Sequence, residues 1–160
     1  MKADACAIRE MIRTASLGSP QNAVGFVMWR LTHRYQREVD QALRTEDLTH
    51  LQFVTLMLVA WLSRDGGSAT QREVARFGDI HPMQVSNVLK ALEQKEMIVR
   101  AREVGSGPAK AVVLTDQGLQ RLRQALPLVI EVQYRLFGDD GRPGGSFLAA
   151  LLRLEQGAAY

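Results

Sequence analysis

Residues 70–95 read TQREVARFGDIHPMQVSNVLKALEQK, and the pattern of this stretch decides the fold. Thr70 and Glu73 form a capping box, in which each side chain accepts the other residue's backbone N–H at a helix start. The short helix that follows, QREVARF, is broken at Gly78 and Asp79, residue types that tolerate unusual backbone angles. Pro82 then stands at the first position of a second helix, where its missing N–H costs nothing and its fixed φ is already helical. That helix runs to about Lys95. Two short helices joined by so brief a turn pack at a steep angle as a helix-turn-helix, and the crossing needs a small residue, here Ala75. Val74 and Ile80 are further core positions. Val85, Val88, Leu89 and Leu92 form the buried stripe of the second helix at i, i+3, i+4 and i+7.

Burying that stripe turns Met83, Gln84, Ser86, Asn87 and Lys90 outward. Their chemistry suits the major groove of duplex DNA. Asn and Gln pair bidentately with adenine, and Ser contacts bases or phosphate. Lys90 meets backbone phosphate, and the amino end of the helix at Pro82 favours an anion. Thr70 and Gln71, at the start of the preceding helix, join the expected DNA-binding set. A solvated face would carry more Glu and Lys pairs than this one, which has a single charge. A second reading is a winged helix that docks on protein without specific DNA binding. Such an interface favours aromatic and Leu residues, which this face lacks.

Further along, Arg100–Val104 and Lys110–Leu114 are two short runs of β-type residues around the tip GSGPA, a pattern that predicts a hairpin. Arg100, Arg102 and Lys110 lie beside that tip, within reach of phosphates or the minor groove, unless they are ordinary surface charges. Between Thr70 and Asp116 there are seven Lys or Arg and six Asp or Glu. Affinity for DNA must therefore come from placement, with a steep but not extreme salt dependence.

Helices are expected on both sides. Residues 1–20 read as a loosely patterned arm ending at a break, Gly18-Ser19-Pro20. From Asn22 to Leu43, apolar residues recur at helical spacing. Thr49 and Gln52 form another capping box, opening LQFVTLMLVAWL, a helix apolar on nearly all sides that belongs in the middle of the domain. RDGGSA at 64–69 is the turn that ends it. Thr115 caps a long helix carrying Leu119, Leu122, Leu126, Val129 and Leu136. DDGRPGG at 139–145 is a loop, and Phe147–Leu154 a last short helix. The fold class is mainly α with a small β-hairpin wing: one domain over 1–160, with a winged helix-turn-helix core at about 44–118. Helices 20–43 and 119–155 would join two copies, because their apolar stripes exceed what one small domain needs; the rival reading packs them within one chain into a larger core. A homodimer presents two reading helices about one DNA turn apart and calls for a pseudo-palindromic operator.

Composition narrows the function classes. The chain has 160 residues and a net charge of +3, with a sequence pI of about 9.3; this permits an anionic partner without demanding one. One cysteine, Cys6, excludes an intramolecular disulfide framework and suits a reducing cytosol. No apolar run is long enough to span a bilayer, and residues 1–20 lack the apolar core of a signal peptide. A cytoplasmic protein without a membrane partner is expected. No enzyme is expected either: there is no nucleophile elbow, no phosphate loop and no Cys-x-x-Cys, and Gly105-Ser106-Gly107 is a hairpin tip with no helix after it. His33, His50 and His81 share no metal-ligand spacing, so neither metal nor cofactor is expected. Trp29, His33, Phe53, Met57 and Trp61, on the first two long helices, are candidates for lining an apolar pocket for a small-molecule effector, although such residues are more often plain core.

LTHLQF at 48–53, TQREVARF at 70–77, HPMQVSNVLKALEQKEMIVR at 81–100 and VVLTDQG at 112–118 occur in one order. In this combination the chain from about Asn22 to Leu154 resembles a MarR-type transcriptional regulator. The resemblance implies a dimer held by its terminal helices, a recognition helix in each of two major grooves, wings alongside, and a ligand or signal that alters the spacing of the reading heads. It also implies repression more often than activation. Three positions depart from the family pattern. Ser106 and Pro108 stand where an Asp-x-Arg pair is usual in the wing, so Arg102 or Lys110 would have to replace that arginine. Glu96 stands where a glycine commonly ends the recognition helix and fits a left-handed cap poorly, so a different helix end is expected. Gly25 stands at the place of a reactive cysteine in peroxide-sensing members, which argues against that sensing route and leaves Cys6 an inert thiol.

Overall fold

The computed structural model describes residues 2–102 and 110–157. In chain order the elements are α1 (Ala5–Ala15), α2 (Val24–Ala42), α3 (His50–Ser63), β1 (Ala69–Thr70), α4 (Gln71–Phe77), α5 (Pro82–Gln94), β2 (Ile98–Arg102), β3 (Lys110–Leu114), α6 (Asp116–Phe137) and α7 (Ser146–Gly157). Single 3-10 turns occur at Pro20–Asn22, Leu43–Glu46 and Asp139–Gly141. The chain forms two compact units, Met1–Glu38 and Val39–Tyr160, with the division falling inside α2.

In the first unit, the expected loose arm is a helix. Asp4 caps α1 by accepting the Ala7 N–H at 3.3 Å. Ile8, Met11 and Ile12 line one face at i, i+3 and i+4, and Arg13 pairs with Glu10 at 2.7 Å. The stripe is brief and crossed by charges, which hid it from a periodicity reading. The break stands where expected: Gly18 has φ +80°, and Ser19 caps the 3-10 turn after it. The helix expected from Asn22 begins at Val24.

In the second unit, α3 lies in the middle, packed against α4, α5, α6, β1 and β3. Phe53, Leu56 and Val59 are buried there, and the buried Thr55 hydroxyl donates to the Leu51 carbonyl at 2.8 Å, leaving no unpaired polar group. Both capping boxes form. Thr49 Oγ1 accepts the Gln52 N–H and Gln52 Oε1 accepts the Thr49 N–H, each at 3.2 Å. Thr70 and Glu73 do the same at 3.2 and 2.8 Å. The wing is not a bare hairpin but part of a three-stranded antiparallel sheet of order β1-β3-β2. β1 is made by the end of the segment read as a turn: Ala69 pairs with Val112 and Thr70 with Ala111. A two-residue strand has no period to read.

The buried stripe of α6 is Gly118, Leu122, Ala125, Val129 and Val132. Leu126 and Leu136 are half-buried at its edge, and Leu119, expected within it, is exposed. The stripe includes Gly118 because α6 starts against the backbone that follows α5. A Cβ at Gly118 would lie 1.9 Å from the Met97 carbonyl oxygen. α7 is anchored where Phe147 stacks on Phe137, with ring centroids 5.6 Å apart.

Candidate nucleic-acid interface

The turn between α4 and α5 divides two tasks between neighbouring residues. Gly78 keeps a right-handed backbone, and Asp79 takes the left-handed one at φ +48°. Gly78 is a place of close packing instead: a Cβ there would lie 2.7 Å from Leu58 Cδ1 and 2.9 Å from Ile80 Cδ1, side-chain ends that would have to shift to admit it. His81 then caps α5, its Nδ1 accepting the Met83 N–H at 3.2 Å. Histidine is not among the common N-cap residues, so its role was hidden in the sequence.

The two faces of α5 separate cleanly. Val85, Leu89 and Leu92 have no solvent exposure, while Val88 is half-buried at the edge of the stripe rather than within it. Met83, Gln84, Asn87 and Lys90 are exposed, as is Pro82, and Ser86 is half-buried. At about 100° per residue, Met83, Asn87 and Lys90 fall on one line opposite the buried stripe. Thr70 and Gln71 support this face more than they present themselves. The Thr70 hydroxyl is engaged with Glu73, and Gln71 Nε2 donates to the Pro82 carbonyl at 3.4 Å, tying the starts of α4 and α5 together.

The cations sort by partner. Arg100 is held against α5, its Nε donating to Glu93 Oε2 at 2.9 Å, which makes it a brace between β2 and α5. Lys95 is held by Asp47 and Gln52. Among the described residues, Lys90, Arg72 and Arg76 are exposed and have no ion-pair partner. Arg72 and Arg76 were not singled out from the sequence, although their i, i+4 spacing on a short exposed helix was the available signal. Arg102 and Lys110 are register partners at the open end of the β2–β3 ladder. Ser106 and Pro108, with the rest of 103–109, lie outside the described residues.

Glu96 corrects an expectation. The helix does end on a left-handed residue, and Glu96 is that residue, with φ +57°. Its N–H bonds to the Glu93 carbonyl and the Met97 N–H to the Leu92 carbonyl, each at 3.0 Å, the paired bonds of a Schellman end. The Glu96 carbonyl in turn accepts the Thr115 hydroxyl at 2.7 Å, and Gln117 Nε2 donates to the Lys95 carbonyl at 3.0 Å. These bonds over-determine the conformation and hold a non-glycine residue in it.

The candidate pocket residues are divided between the two units. Trp29 and His33 are on the first-unit part of α2, both exposed, with ring centroids 4.3 Å apart. They line an open groove with Arg30, Arg34 and Arg37. Phe53, Met57 and Trp61 are on α3 in the second unit. Phe53 is buried core, Met57 is half-buried, and Trp61 is exposed beneath the Arg64 guanidinium, 4.0 Å from its ring centroid. Among the described residues no group of three or more His, Cys, Asp or Glu is placed to hold a metal ion, and no helix is long and apolar enough to cross a membrane.

Two short helices packed together across a brief turn, a small sheet packed beside them and a polar outward helix face define a winged helix-turn-helix protein. Comparison with known proteins gives the family. The MarR family model matches residues 48–107. The HTH-type transcriptional regulator YdcH of Bacillus subtilis (strain 168) is 32% identical over 123 residues, covering 77% of this chain and 84% of that protein. Among solved structures, CouR from Rhodococcus jostii RHA1 bound to p-coumaroyl-CoA matches with a TM-score of 0.73 at 21% identity, over 89% of this chain and 95% of that one. The S. aureus MepR–DNA complex matches with a TM-score of 0.72 at 22% identity, over 87% and 99%. The chain belongs to the MarR family.

Proposed function

We propose that this chain is a transcriptional regulator that binds a pseudo-palindromic duplex operator as a homodimer, represses, and releases DNA when a small molecule binds. The observation that carries the reading is the division of α5. Its stripe of Val85, Leu89 and Leu92 is wholly buried while Gln84, Asn87 and Lys90 stand exposed on the other side, a set of donors and acceptors matched to base edges and phosphate in the major groove. The similarity in fold to MepR, solved as a DNA complex, supports the same reading. Helices 20–43 and 119–155 are assigned to dimerisation. Exposed Val24, Val27 and Met28 on α2, and Leu152 and Leu154 on α7, are apolar surface that a second copy would cover. Effector control is supported by CouR, a relative in fold that binds p-coumaroyl-CoA, and by the open groove beside Trp29 and His33.

Fluorescence anisotropy with labelled duplex from the region upstream of the gene tests the reading. A protein that reads sequence binds that duplex at least about a thousandfold more tightly than a scrambled one at physiological salt. Equal affinity for both would instead favour a winged helix that docks on protein.

A further inference from the structure

Met83 is 64% exposed, and among the described residues it is the one large apolar side chain of α5 in the exposed class. It sits in the first turn of the helix, next to exposed Pro82, with its backbone N–H fixed to His81 Nδ1. It also shares the outward line with Asn87 and Lys90. A face that met only phosphates would have no use for a thioether there, since exposing an apolar side chain to water is unfavourable. The amino-terminal residues of a recognition helix are those that reach base edges. Of the groups that line the major groove, the thymine 5-methyl is the apolar one. Methionine, unbranched and adaptable, can lie against such a methyl without exact fit.

We infer that Met83 is a specificity residue that reads thymine, its thioether end packing on the 5-methyl group of one thymine in each half-site. The inference rests on the DNA-binding reading above and adds to it a single base and a single atom group. Exposed Pro82 precedes Met83 in the first turn, and exposed Asn87 stands about one turn further along the same line.

The test uses duplexes selected by the full-length protein from a random pool, with each thymine in turn replaced by deoxyuridine, which removes only the methyl. The expected result is one thymine per half-site at which deoxyuridine weakens wild-type binding about fourfold, the effect of exposing one methyl-sized group. Met83→Ala binds the two duplexes alike at that position, and Met83→Leu keeps the preference. If wild type binds every deoxyuridine duplex as tightly as its thymine parent, or Met83→Ala keeps the full penalty, the Met83 assignment is overturned while DNA reading stands. Failure to enrich any duplex over the starting pool overturns both.

Discussion

Lys95, which ends α5, places its Nζ 3.1 Å from a carboxylate oxygen of Asp47 and 3.3 Å from Gln52 Oε1, and it also donates to the Asp47 carbonyl. One ammonium thus joins the end of α5 to the turn before α3 and to the capping box that opens α3. Its three donors are all used, and its side chain is 28% exposed against 80% for Asp47.

The partners of Lys95 are unequal, so substitutions should be too. Lys95→Met is expected to lower unfolding stability by about 0.5–1.5 kcal/mol, because it removes the donor to the Asp47 carbonyl and one of the two donors to Gln52 Oε1, which keeps the Thr49 N–H. Asp47→Asn removes only an exposed ion pair and should cost less than about 0.5 kcal/mol. Urea midpoints of the two variants check this, and equal losses would contradict it.

Glu96 holds a left-handed backbone that glycine adopts without penalty. Glu96→Gly should raise stability by about 0.5–1 kcal/mol, the relief of the left-handed strain exceeding the added freedom of the unfolded chain. Thermal unfolding of the variant should show a higher midpoint, whereas a lower one would mean that the glutamate side chain has an unrecognised role.

Gly118 permits a backbone-to-backbone approach that nothing flexible can relieve, since the obstacle is the Met97 carbonyl. Gly118→Ala is expected to cost at least about 3 kcal/mol. It should also loosen the end of α5, through the bond between the Thr115 N–H and that same carbonyl at 3.2 Å. Hydrogen exchange at Glu96 and Met97 should accelerate in the variant, and unchanged protection would refute the link.

Burial lowers the pKa of His50 below its ordinary value, with Asp40 opposing in part. The Asp40 carboxylate also accepts the His50 backbone N–H at 2.6 Å. Because the folded pKa lies below the unfolded one, the unfolded chain takes up the proton first. Stability from neutral His50 is therefore complete above the unfolded value near 6.5 and falls as pH drops through it toward the folded pKa. Between pH 7.5 and 5.5, wild type should lose more stability than His50→Gln; equal losses would remove His50 from the account.

Much of the fold was legible because its signals are local. A capping box is written in two residues three apart, and the α5 stripe in residues three and four apart, so both were read and both form. What was missed depends on distant or over-determined geometry. β1 exists only by pairing with β3, far along the chain. Arg100 looks like a free wing cation until the strand register turns it onto Glu93. Glu96 seems unsuited to its backbone until the bonds from Thr115 and Met97 are counted. The α1 stripe at i, i+3 and i+4 spans about one turn and is crossed by charges, too little for a periodicity reading. At the site, exposure of Met83, Gln84, Asn87 and Lys90 followed from the buried stripe. The supporting tasks of Gln71 and His81 did not, since both depend on how α4 meets α5.

The central claim, that the outward line of α5 reads DNA, is tested most directly by comparing Asn87→Ala with Lys90→Ala on a selected duplex and on a scrambled one across a salt series. Asn87→Ala should lose about 1–3 kcal/mol on the selected duplex and almost nothing on the scrambled one. Lys90→Ala should weaken both alike and reduce the salt slope by about 1. If both variants bind both duplexes as wild type does, α5 is not the reading helix.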